Sequence, residues 1–101
     1  MNQLERIRYM ESIMDRAETV LSALDEALEQ YRNMETELDE LEDYYGSDLW
    51  RGDFNADENG KLPQDLKRGV LSEDGLWNLL IDRDRLLAEM RRISEKSECE
   101  D

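Results

Sequence analysis

From Met1 to Tyr45 the chain contains neither glycine nor proline, and its apolar residues recur on a heptad. With Ile7 at position a, Met14, Leu21 and Leu28 share that position. Met10, Ala17, Leu24, Tyr31, Leu38 and Tyr45 fall at d, and Ile13, Val20, Ala27, Met34 and Leu41 at g. This spacing predicts one long helix over about residues 2–45. Three apolar positions per heptad make a stripe wider than a two-stranded seam, suited to a helix with two neighbours. Glu35 and Glu42 interrupt position a, so packing is expected to change there. At ~1.5 Å per residue such a helix is roughly 60 Å long. A compact chain of this size has a radius of gyration near ~13 Å. The expectation is an elongated protein, or a long helix shared with another chain.

Residues 46–71 differ, with Gly46, Gly52, Gly60, Pro63 and Gly69 as punctuation. Gly46 is the expected left-handed stop of the first helix. Ser47 reads as the cap of a short helix carrying Leu49, Trp50 and Phe54. "LPQDLKRG" reads as a further helical turn begun by Pro63 and ended by Gly69. Trp50, Phe54, Leu62, Leu66, Val70 and Leu71 give this compact connector enough apolar surface to fold back. A second, antiparallel helix is expected over 72–96, capped by Ser72, with Glu73 and Asp74 in its first turn. Residues 97–101 should fray. The whole reads as a single all-α domain, a coiled-coil-like helical bundle.

The second helix covers only about half of the first. The remainder would expose Ile7, Met10, Ile13, Met14, Ala17, Val20 and Leu21, too much contiguous apolar surface for a soluble monomer. A homodimer whose four long helices share one core resolves this. A monomer with a bent first helix is the competing arrangement.

A net charge of −14 on 101 residues argues against direct nucleic-acid binding and against anionic membrane surfaces. Cationic protein partners remain. Cys99 is the only cysteine, so no intrachain disulfide can form, which fits a reducing cytoplasm. "MNQLERIRYME" lacks the apolar core of a secretory signal, and no apolar run is long enough to span a bilayer.

Histidine is absent, which removes the commonest general base and transition-metal ligand. No glycine-rich phosphate loop is present, and no catalytic residue or cofactor is expected. "DFNADENGK" resembles a calcium loop, with Asn55, Asp57 and Asn59 at alternate positions before Gly60. The closing bidentate acid is missing: Leu66 occupies position 12 counted from Asn55. The stretch is read instead as a turn in which Asn and Asp bond their own backbone. "ETELDELED" holds Glu35, Glu37, Asp39, Glu40, Glu42 and Asp43 and no base. It is a solvated helix face, or a phosphate-mimicking rod for a basic nucleic-acid-binding cleft. Tyr44, Tyr45 and Trp50, with Lys67 and Arg68, form a candidate partner-binding corner, against which stands ordinary core packing of aromatics.

"LEDYYGSDLWRGDF" followed by "GKLPQDLKRGVLSEDGLWNLL" resembles the bacterial family known as domain of unknown function 4298. The resemblance spans nearly the whole chain. It implies a bacterial, cytoplasmic protein and brings no activity or catalytic residues. Asn55 and Asn59 depart from the pattern, which weakens the calcium reading. The function expected is a non-enzymatic interaction or scaffold protein. An acidic nucleic-acid mimic is the alternative, and a calcium module a remote third.

Overall fold

The computed structural model describes residues 1–99. Three α-helices account for most of them: α1 (Gln3–Tyr45), α2 (Asp48–Glu58) and α3 (Glu73–Cys99). A 3-10 turn at Gly69–Leu71 precedes α3, and no strand occurs among the described residues. The chain divides into two compact units, Met1–Asp39 and Glu40–Asp101.

The first unit is a single helical segment of α1. Its start is fixed by Asn2, whose Oδ1 accepts from the Glu5 N–H at 2.8 Å while its Nδ2 donates back to the Glu5 carboxylate at 3.0 Å. This reciprocal pair satisfies an otherwise orphaned helix donor. No α1 residue is buried. The stripe from Ile7 to Leu28 is open, its larger side chains being between 38% (Ile13) and 63% (Val20) exposed.

The second unit has a small core. Leu71, Leu76 and Leu80 are each 8% exposed or less. Leu41, Tyr45, Trp50, Phe54, Leu62 and Leu87 are half-buried. Along α3 the covered positions are Leu76, Leu80, Arg83 and Leu87, an i, i+4, i+7, i+11 series that defines one helix face. Ser47 caps α2, accepting from the Trp50 N–H at 3.2 Å. Gly60 closes α2 in the left-handed region at φ +68°, with Lys61 N–H donating to the Ala56 carbonyl at 2.9 Å and Gly60 N–H to Asp57 at 3.1 Å. This double closure satisfies two terminal carbonyls and favours glycine at that position. Ser72 caps α3, accepting from the Gly75 N–H at 2.8 Å.

Several local expectations need correction. The left-handed glycine is Gly60 and not Gly46; the end of α1 is closed by Ser47, whose N–H and hydroxyl both donate to the Tyr44 carbonyl. "LPQDLKRG" is a turn, held by Leu66 N–H on the Pro63 carbonyl at 3.2 Å, and Gly69 opens the 3-10 turn instead of ending a helix. Leu66 and Val70, expected to pack, are 47% and 43% exposed. The second helix continues past Lys96 to Cys99, so Ser97–Cys99, placed in the frayed tail, are helical; the last two residues lie outside the described ones.

Candidate functional site

The aromatic corner is built by the end of α1 and the start of α2. Tyr45 meets Trp50 edge-on at 5.1 Å between ring centroids, and Trp50 stacks on Phe54 at 5.1 Å and 19°. Phe54 lies one helical turn beyond Trp50, so helix geometry alone brings those two rings together. The Trp50 indole N–H donates to the Val70 carbonyl at 2.9 Å, tying α2 to the 3-10 turn. Tyr44 points elsewhere: its hydroxyl donates to the Asp53 carboxylate at 2.6 Å. That hydrogen bond, aided by partial burial and the nearby negative charge, pushes the Tyr44 phenol up to about 12.

The two basic residues of the corner diverge. Arg68 pairs with Asp57 and also donates to the carbonyls of Pro63 and Gln64 at 2.9 and 3.1 Å. It is the strut of the 59–68 turn, fully engaged in holding backbone. Lys67 instead lies on an apolar groove of about 520 Å³ with Leu41, Gly69, Val70, Leu76 and Leu79. It makes no ion pair among the described residues.

The calcium-like stretch takes a different form from the turn expected. Asp53–Glu58 belongs to α2, and Asn59 is its C-terminal cap. On a helix, residues two apart point about 200° away from each other, so Asn55 and Asp57 do not converge. The Asp57 carboxylate is bound to Arg68. Among the described residues no three His, Cys, Asp or Glu side chains are grouped to hold a metal.

All six carboxylates of the acidic stretch are exposed: Glu35, Glu37 and Asp39 in the first unit, Glu40, Glu42 and Asp43 in the second. Among the described residues Glu42 alone of these is paired, at 3.2 Å from Arg83. The Arg83 side chain is only 13% exposed and also bridges Asp84 at 3.0 Å, and the two carboxylates raise its already high basicity. No basic residue stands in the last turn of α1, where the helix dipole is negative. Arg83 supplies that missing charge from α3. The signal in the sequence was its register: a lone cation on the leucine face set by Leu76 and Leu80.

The family described as Domain of unknown function (DUF4298) matches residues 7–93. The chain belongs to that family. The match contains the aromatic corner, the Arg68 strut and the Arg83 bridge, together with the α1 stripe from Ile7 onward. No curated protein and no solved structure matches the chain. Among the described residues of this DUF4298 protein, no helix is long and apolar enough to cross a membrane.

Proposed function

We propose that this DUF4298 protein is a non-enzymatic interaction or scaffold protein of the cytoplasm that self-associates through α1. The observation that carries this is the open stripe of the first unit, Ile7, Met10, Ile13, Met14, Ala17, Val20 and Leu21, at heptad spacing and uncovered. A helix with such a stripe gains its stability from packing that face, not from propensity. Self-association leaves the groove beside Lys67 in the second unit for a further partner, and the aromatic corner braces the Val70 backbone at its edge through the Trp50 indole. The corner's rings and the Trp50 indole are committed to packing, so Tyr44, Tyr45 and Trp50 act here as framework and Lys67 as the accessible cation.

The test is the double substitution Met14→Glu with Leu21→Glu, compared with the parent by circular dichroism over a dilution series. The parent should lose helix on dilution and the variant should be less helical at every concentration. Helix content independent of concentration in both proteins contradicts the proposal.

A second reading is supported by the six exposed carboxylates from Glu35 to Asp43. They would present a negative rod to a basic nucleic-acid-binding protein. Capture of such a protein that collapses with added salt supports it; capture that survives high salt opposes it.

A further inference from the structure

Resting on the self-association just proposed, we infer that the α1 stripe pairs with a second copy of this chain in antiparallel orientation, about a two-fold axis near Thr19–Val20. The eight a and d residues from Ile7 to Tyr31 decide the register. Antiparallel pairing sets a against d, and one register uses all eight: Ile7 with Tyr31, Met10 with Leu28, Met14 with Leu24, and Ala17 with Leu21. The smallest residue of the stripe then faces a leucine. A shallow surface depression bordered by Tyr9, Ile13, Arg16, Ala17, Val20 and Leu21 adjoins Ala17 on its g side. Parallel pairing would set Ala17 against its own copy, leaving a void in the middle of the seam, and Tyr31 against Tyr31.

The g positions discriminate further. In parallel pairing, g faces e five residues on, which sets Ile13 against Glu18, Val20 against Asp25 and Ala27 against Arg32. In antiparallel pairing g faces g, so Ile13 meets Ala27 and Val20 meets Val20, closing an apolar edge. Antiparallel pairing also sets e against e, bringing Glu18 to Glu18 and Glu11 to Asp25, so the flanking charges oppose this orientation while the acidic stretches favour it. Parallel chains would run their acidic stretches, Glu35 to Asp43, side by side; antiparallel chains place them at opposite ends. The paired segment, ~36 Å long on helices ~10 Å across, has a footprint of roughly 360 Å² per copy, about half of the ~800 Å² per partner of a standard interface.

Single cysteines placed in a Cys99→Ser background test the orientation under mild oxidation. Ile7→Cys should remain unlinked alone, and should form a disulfide dimer when mixed with Tyr31→Cys. Ile7→Cys linking efficiently to itself would show parallel pairing and overturn the inference while leaving self-association standing. Spin labels on an outward position, Glu5→Cys, give a readout that does not touch the seam. They should sit over ~40 Å apart; labels side by side mean parallel pairing, and a monomer by mass removes the self-association reading itself.

Discussion

Gly75 sits where a side chain has no room. A Cβ there would lie 2.5 Å from the Ser72 hydroxyl and 3.2 Å from the Gly69 carbonyl. Alanine normally gains ~1 kcal/mol over glycine within a helix. Here it displaces a cap worth ~1 kcal/mol and presses on backbone as well. Gly75→Ala should therefore lower the second unit's stability in urea unfolding, and lower it less in a Ser72→Ala background, where the cap is already gone. Equal costs in the two backgrounds would refute that coupling. Tyr44 gives a pH prediction. Its phenol titrates near 12 when folded, against about 10 when unfolded. The raised value means that its contribution to stability is complete below pH 10 and is lost as pH climbs from about 10 to about 12. Tyrosinate absorbance that rises as pH approaches about 12 in the parent should be lost in Tyr44→Phe. Both serine caps were legible because a cap bonds an N–H three residues ahead. The Tyr44–Asp53 bond was not, since it depends on how the chain turns between α1 and α2.

At the scale of elements, the lengths and faces of the helices follow from the spacing of apolar residues, and the misreadings lie between them. The stretch from Asp53 to Glu58 looks like a loop because it is polar and rich in Asp and Asn. It is helical because Trp50 and Phe54 share a half-buried face and Ser47 starts the turn. "LPQDLKRG" looks helical by its proline and glycine, yet Arg68 holds it as a turn by reaching back to two carbonyls. Arg83 is the other long-range tie. Arg83→Ala removes both a partly screened ion pair and the packing of its stem, and should cost the second unit about 1–2 kcal/mol. Arg83→Met restores the stem and should recover part of that. Thermal melts of the two variants settle the order, and a Met variant no better than Ala would show that the charge alone matters.

At the scale of the whole molecule, the sequence carries a first helix whose stripe the structure leaves open, and a second unit with three buried leucines among its described residues. Small chains bury a limited share of their surface and commonly complete it by association. The self-association proposed above rests on that open stripe. The most direct test is the solution mass by sedimentation equilibrium, with Met14→Glu/Leu21→Glu measured beside the parent. The parent should weigh as a dimer and the variant as a monomer whose second unit remains folded. A parent that stays monomeric at every concentration would contradict the account.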